Sequence, residues 1–396
     1  MIERHLLQQL DDIGWRRVPL TEVATIDRDT VRPDNIGGSE LYVGLEHISS
    51  EGTFERVATA AEASLKSNKF VFTKSHLLYG KLRPYLGKIA APDFDGICST
   101  DILPIRPGAR LDRRYLLHYL RTPKMVAYAA NGAVGINLPR LSPKFLASFE
   151  IPLPPVEDQR RIAVVLDVAE ALRTKRRLAL ARLDTLPQAI FARMFGAGEG
   201  KKKSLGQLAE VQGGLQVTSK RKAHPISVPY MRVANVYRGC LDLSEVKTLR
   251  VSERELARTR LATGDLLVVE GHGNKDQIGR VGVWDGSIDP CVHQNHLIRV
   301  RCNENQLLPR FAEAFMNSSV GCRALRQAAN TTSGLNTIST NDVREIQIPL
   351  PALSEQQRFV GMANCVDRQR AVLTIATAKL DMLFASLQQR AFRGEL

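Results

Sequence analysis

Two stretches of this chain are dense in groups that bind phosphate and reach base edges. The first is Lys69–Lys88, where Lys69, Lys74, Lys81, Arg83, Tyr85 and Lys88 surround a hairpin punctuated by Gly and Pro. The second is Gly271–Arg280, whose His272, Asn274, Lys275, Gln277 and Arg280 offer cationic and amide groups in a run too glycine-rich for a core. Lys and Arg beside phosphates supply affinity for nucleic acid, and Arg, Lys, Asn and Gln that reach base edges supply sequence reading. A further basic run, Lys220-Arg221-Lys222, precedes a strand carrying Arg232 and suits a backbone contact. The triplets Ser99-Thr100-Asp101 and His293-Gln294-Asn295 occupy matching places, so Thr100, Gln294 and Asn295 are candidates for a difference in base preference. Asn137 and Asn336 stand in matched Gly loops; they touch DNA or only hold turns of positive φ. Glu270 and Asp276 are placed to accept from cytosine or to pair with a neighbouring lysine. For any single lysine here the alternative is an exposed, solvated face.

Other chemistry is poorly served by this sequence. A Gly-rich Walker loop is missing, so ATP use by this chain is not expected. The Asn-Pro-Pro-Tyr type of motif that holds a flipped adenine is also missing. Glu199-Gly200-Lys201 and Glu245-Val246-Lys247 have a nuclease-like Glu-x-Lys spacing, but a metal site needs a second acid upstream in a strand. His272, His293 and His296 near Cys291 lack the cysteine spacing of a zinc site and read as polar contacts. The six cysteines form no C-x-x-C pair, which suits reduced thiols in a cytoplasm rather than metal ligation. No metal, and no catalysis by this chain alone, is therefore expected. The net charge of +14 among 396 residues points to a polyanionic partner, most simply nucleic acid. The N-terminus lacks a signal-peptide core, and neither a polybasic amphipathic anchor nor an apolar run of 18 or more residues stands out.

The elements that must position these groups come in duplicate. Ile151-Pro152-Leu153-Pro154-Pro155 recurs as Ile348-Pro349-Leu350-Pro351-Ala352, 197 positions later, and Gln159, Arg161, Arg193 and Phe195 recur as Gln356, Arg358, Arg390 and Phe392. The chain thus reads as two tandem half-units, each a globular domain followed by one long helix. Expected boundaries are a first domain at 1–150, a central helix at 151–196, a linker at 197–203, a second domain at 204–347 and a C-terminal helix at 348–396. Residues 1–14 read as a short amphipathic helix with Leu6, Leu7 and Leu10 on one face. Within the domains the echo continues. Leu41–Ile48 answers Pro229–Val236 as an alternating strand, and Leu77–Gly80 answers Leu266–Val269 as a buried one. A helix follows late in each, at Arg113–Leu120 and Pro309–Asn317, and the class is α+β with small mixed sheets. In the linker, Gly196 should stop the central helix, the Gly-rich remainder should be flexible, and the three lysines touch phosphates or are simply solvated.

Heptad spacing predicts that the long helices, about 38 residues or roughly 57 Å each, pair with each other. In the first, one seam row is Ile162, Ala169, Leu183 and Ile190, and its companion is Val165, Leu172, Ala179 and Leu186. In the second, the rows are Phe359, Val366, Leu373, Leu380 and Leu387, with Met362, Ala376 and Leu383. Arg176 and Gln369 interrupt the seam, as register-setting polar residues or as stems that snorkel outward. Ser354-Glu355-Gln356-Gln357 fits a capping box, and Pro187 should kink the central helix near Leu183.

The Ile-Pro-Leu-Pro helix starts, the Gln159-Arg160-Arg161-Ile162 run that follows the first, the long heptad helices and the closing Leu387–Leu396 tail together resemble the specificity (S) subunit of type I restriction-modification systems. The likeness spans essentially the whole chain, and the globular domains match only in outline. It implies that the helices pair antiparallel as a spacer, with pseudo-two-fold symmetry, and carry methyltransferase subunits, two by the family pattern. Restriction subunits would join through them. Each globular domain would be a target-recognition domain reading half of a split double-stranded DNA site. S-adenosylmethionine, ATP and magnesium would belong to the partner subunits, none to this chain. Left open are a specificity subunit of a related phage-defence modification system, a coiled-coil scaffold without DNA specificity, and a nucleic-acid enzyme whose site is not evident.

Overall fold

The computed structural model describes residues 15–196, 201–332 and 335–396. The expected N-terminal helix and Ala197–Gly200 of the linker lie outside the described residues. The rest falls into two compact units that cut across the long helices: 1–177 with 376–396, and 178–375.

Each unit is built on the same plan. In the first, Arg17–Pro19 pairs antiparallel with Glu150–Pro152, so the strand that opens the domain is clasped by the strand that closes it. The second repeats this with Lys202–Ser204 and Gln347–Pro349, so Lys202 and Lys203 are strand residues rather than flexible linker. Between the clasps lies an antiparallel four-stranded sheet of the same order in both: Ala24–Ile26, Ile102–Pro107, Leu77–Gly80, Ile89–Ala90, and Ala209–Gly213, Leu297–Cys302, Leu266–Val269, Val281–Val283. The central strands Leu77–Gly80 and Leu266–Val269 are buried along their whole length, which explains their unbroken apolar runs. A second sheet in each unit contains one parallel pair, Leu41–Val43 with Gly96–Cys98 and Ile226–Met231 with Val292–His293. The long alternating strands expected at Leu41–Ile48 and Pro229–Val236 are cut short. A turn follows each, held where the Gly44 N–H donates to His47 Nδ1 (3.0 Å) and the Arg232 N–H to Asn235 Oδ1 (3.0 Å).

The long helices are Val156–Phe195, with 40 residues, and Leu353–Ala391, with 39. A buried glutamine anchors each start. Gln159 Oε1 accepts from the Asp112 N–H (2.7 Å) while its amide donates to the Arg110 and Pro154 carbonyls (2.9 Å each). Gln356 does the same with Leu308 (3.0 Å), Gln306 (2.9 Å) and Pro351 (3.1 Å). The C-terminal helix begins one residue ahead of the expected cap. Leu353 is already helical, and Glu355 reaches back to the Ala352 N–H (3.2 Å). The central helix runs unbroken through Pro187, and Gly196 ends it at φ 54°, as expected of a left-handed stop.

The pairing of the helices can be followed inside each unit. In the first, Arg173 Nε donates to Asp381 Oδ1 (2.6 Å) and its guanidinium lies 4.2 Å from the Phe384 ring, while Arg161 donates to the Leu396 carbonyl (2.9 Å). In the second, Arg370 meets Asp184 (3.6 Å), and Phe191 packs edge-on against Phe359 (5.4 Å). Numbers that rise on one helix as they fall on the other mean an antiparallel pair. Arg370 and Asp381 lie 197 positions after Arg173 and Asp184, so the two ion pairs are the same contact made twice.

The two expected seam rows differ in burial. Ile162, Phe359 and Val366 are buried, and Leu183, Ile190, Leu373, Leu380 and Leu387 are partly buried. Met362 and Ala376 are also partly buried, but Val165, Leu172, Leu186 and Leu383 are 39–62 % exposed, and Ala179 is exposed too. Their place is taken by the row one residue later: Leu166, Arg173, Leu180 and Met194 on one helix, and Ala363, Arg370, Thr377, Phe384 and Ala391 on the other. The arginines enter this row because each carries its charge to an aspartate while its stem stays in the seam. Arg176 and Gln369, expected inside, are exposed.

Aromatic contacts fix the helix ends. Phe392 packs edge-on against Tyr115 (5.4 Å) and Tyr119 (5.2 Å) of the helix Arg113–Leu120. Its counterpart Phe195 packs on Phe311 (5.0 Å) of the helix Pro309–Asn317. Each core is thus completed by the far end of the other half's helix.

Candidate nucleic-acid interface

In the first unit the chain brings two loops to one face. The Lys81 carbonyl accepts from the Leu141 N–H (2.9 Å), and the Arg83 N–H donates to the Pro139 carbonyl (2.7 Å). A short hairpin projects from this junction, closed by the paired backbone bonds of Val134 and Arg140 (3.0 and 2.9 Å). Gly135 takes φ 115° there, a conformation side chains rarely adopt. Arg83, Tyr85, Thr100 and Asn137 are exposed around the junction. Lys81 is half-buried 4.0 Å from Asp101, which also accepts from Arg140 Nε (3.2 Å). One carboxylate is thus shared by two cations, and the face keeps a net positive charge.

Three expected phosphate ligands here differ in availability. Lys74 is exposed. Lys69 is not: it is buried, and its ammonium donates to the Ser67 carbonyl (2.6 Å) and hydroxyl (2.8 Å). Burial pushes its pKa down. It lies 5.8 Å from the Tyr42 ring, and this inward setting removes it from the candidate set. Lys88 is half-buried and spends its ammonium on the Leu45 carbonyl (2.6 Å), so it serves the fold as well.

The second unit has the equivalent junction. Gly271–His272 pairs with Leu335–Thr337, which brings the amide-rich loop against Asn336, whose amide donates to the Gly273 carbonyl (3.3 Å). Asn274 and Lys275 are exposed, and His272 and Gln277 are half-buried. Asn274 Oδ1 accepts from the Asp276 N–H (2.9 Å), while His272 Nδ1 accepts from the Asn274 N–H (3.0 Å), so the loop is pre-shaped by its own side chains. Arg280 departs from expectation. It is buried beneath Tyr237, donating to Gln277 (3.2 Å) and the Val233 carbonyl (3.2 Å), and burial lowers its pKa. Asp276 pairs with Arg326 (2.7 Å) rather than a lysine, and Glu270 is half-buried with its pKa raised by burial.

The basic run Lys220–Lys222 splits by environment. Lys220 and Lys222 are exposed on a turn, whereas Arg221 makes a two-pronged pair with Glu255 (3.1 and 3.1 Å) and so is a structural residue. Burial would raise the Glu255 carboxyl, but the Ser252 N–H and Arg221 outweigh it and hold it at about 2. Arg232 is also committed, to the Glu245 carbonyl (2.9 Å) and carboxylate (3.4 Å). Gln294 and Asn295 are half-buried beside Leu215 and Met231. His293 is fully buried on the Leu297 carbonyl (3.1 Å), its pKa driven down to about 4 by burial, so it remains neutral. Among the described residues no group of three or more His, Cys, Asp or Glu is gathered to hold a metal.

Sequence reasoning missed Arg140, Arg238 and Arg326 at these junctions, together with the exposed apolar tip Val134, Ile136 and Leu138. The signal was present: apolar residues at alternate positions inside a Gly- and Asn-rich loop, where a core role has no support.

Residues 13–180 and 198–370 each match the family model described as the type I restriction modification DNA specificity domain. The chain belongs to that family. It is a type I restriction-modification specificity subunit with two DNA-recognition domains. The specificity subunit of the type I restriction enzyme EcoKI from Escherichia coli K12 is 27% identical over 327 residues, covering 74% of this chain and 67% of that one. That of EcoDI, also from Escherichia coli, is 31% identical over 187 residues, 46% of this chain and 41% of its own. Among solved structures, a chain from a study of complex assembly and conformational transition of the type I system superposes with a TM-score of 0.63 at 21% identity, covering 97% of this chain and 98% of that one. At that identity the likeness speaks for the fold.

Proposed function

We propose that this subunit directs methyltransferase subunits to a split DNA site, the first recognition domain reading one half and the second the other. The observation that supports this is a repeated scaffold with unrepeated loops. The sheets, clasps and glutamine anchors recur, as does an asparagine in each Gly loop (Asn137, Asn336), while Arg83, Tyr85 and Thr100 at one junction and Asn274, Lys275 and Gln277 at the other do not. Phosphate contacts fall to Lys74, Arg83, Lys220, Lys222 and Lys275, and base-edge contacts to Thr100, Asn137, Asn274, Gln277 and Asn336, with His272, Gln294, Asn295 and Tyr85 beside them. The exposed apolar row Val165, Val168 and Leu172, which the paired seam leaves in water, is the surface offered to a methyltransferase helix. Restriction subunits would then join through the methyltransferase complex. S-adenosylmethionine, ATP and magnesium act on those partners, and this chain is non-catalytic and cytoplasmic. The C-terminal helix is long and apolar enough to cross a bilayer by length and composition alone. Its seam rows are instead occupied by the helix pairing.

Methylome sequencing of a host expressing the chain with methyltransferase subunits tests the reading. A motif of two specific parts around an unread gap is expected, the halves lying about one helical turn (~34–36 Å) apart. A continuous motif, or methylation that does not depend on this chain, would count against it. A scaffold without DNA specificity would instead show no footprint and little salt dependence.

A further inference from the structure

We infer that the tip of the Val134–Arg140 hairpin reads an A·T pair in the first domain's half-site, with Ile136 packed on the thymine 5-methyl group and Asn137 beside the adenine. The inference rests on the DNA-reading role proposed above and names a residue pair for it. Ile136 is 100% exposed, Val134 79% and Leu138 47%, three large apolar side chains held in water on one small projection. The projection is braced at both ends. Its neck is closed by the Val134–Arg140 bonds, and its base is tied to the neighbouring loop through Arg83 with Pro139 and Lys81 with Leu141. Five residues, Gly135 to Pro139, are therefore presented in a set shape, and binding need not order them first.

The surroundings select the occupant. Arg83 is exposed beside the tip, and Arg140 and Lys81 flank it around the single carboxylate of Asp101. An apolar point ringed by cations suits a duplex, where phosphates meet the ring and a groove edge meets the point. In the major groove only thymine offers a methyl group, and adenine presents the acceptor and donor that an asparagine amide matches. Ile136 and Asn137, adjacent and both exposed, supply one group of each kind. The matched Gly loop of the second half carries a related pair, Leu335-Asn336, after Gly334, so an apolar residue beside an asparagine recurs in the sequence of both halves.

The test uses the full chain with its methyltransferase subunits and a duplex carrying the methylome-defined site. Each thymine in the site is replaced singly by uracil, which removes the methyl group and leaves base pairing intact. One thymine in one half-site should then weaken binding about fourfold, the value of one buried methyl at ~0.8 kcal/mol. In Ile136→Ala the same uracil should change nothing, while the other half-site behaves as in the parent. Asn137→Ala should relax the methylome motif at that pair alone. Ile136 bears on nothing in the fold, so unchanged thermal unfolding is expected of its variant. The inference is overturned if uracil is tolerated throughout that half-site, if its effect persists in Ile136→Ala, or if that variant instead loses its methyltransferase subunits. Failure of the parent to bind any split site would overturn the proposed function itself.

Discussion

A guanidinium that gives two hydrogen bonds to one carboxylate has little left to offer a phosphate. Arg221 is in that position with Glu255, while Lys220 and Lys222 on either side of it face water. The three should therefore respond differently to alanine. Arg221→Ala is expected to cost ~1–2 kcal/mol at pH 7 by urea unfolding, since the half-sheltered Glu255 loses its guanidinium partner and keeps only the Ser252 hydrogen bonds and His224 nearby. The cost should depend on pH. The folded carboxyl titrates near 2 against an ordinary value of 4.5, so its stabilisation is complete above pH 4.5 and is lost as the pH falls towards 2. At pH 3 the parent and variant should lie closer together than at pH 7. Lys220→Ala and Lys222→Ala should leave unfolding unchanged and each reduce the slope of log K against log salt by about one. A salt slope that drops equally for Arg221→Ala would remove the distinction.

At the scale of elements, the joins between domain and helix are made by single side chains that satisfy several backbone groups at once. Gln159 and Gln356 are each fully buried and occupy three backbone groups. Gln159→Ala should cost ~2–3 kcal/mol, because the orphaned groups stay buried without partners. The helix pair is registered by Arg173 with Asp381 and Arg370 with Asp184. These residues are partly exposed, so each pair is worth only ~1 kcal/mol or less. Their value lies in alignment: Arg173→Asp should lower the unfolding midpoint, and adding Asp381→Arg should restore part of it. Arg177 also reaches Asp381 (3.4 Å), so the rescue should be partial, and Arg173→Lys, which keeps the charge and loses the planar stack, separates the ion pair from stacking on Phe384. The choice between seam rows belongs to this scale too. Valine and leucine at 165, 172, 186 and 383 imitate a heptad row that the fold leaves outside, because charged Arg173 and Arg370 could enter only with aspartates opposite.

For the whole molecule, each compact unit is completed by the end of a helix that began in the other half. Neither half of the sequence contains its own full core. Residues 1–195 expressed alone should thus expose the Tyr115–Tyr119 surface that Phe392 covers, and show a lower unfolding midpoint than the full chain. The long helices also act as the proposed ruler. Inserting or deleting residues near Arg176, with the matching change in the partner helix, should lengthen or shorten the unread gap found by methylome sequencing. An unchanged gap would sink the spacer role.

Duplication, helix length, the α+β class and the family were legible from the chain, because they are recorded in repeats and periods that survive without coordinates. The buried strands Leu77–Gly80 and Leu266–Val269 were legible for the same reason, as apolar runs have few alternatives. Tertiary structure alone decided which cations are available. Lys69, Lys88, Arg221, Arg232 and Arg280 carry the same charge as their exposed neighbours, and only the placement of distant carbonyls and carboxylates turns them inward. It likewise decided which apolar row forms the seam, since two rows of similar hydrophobicity compete and the winner is set by what faces it across the pair. The sequence supplies each side chain's chemistry; its partner is a property of the folded chain.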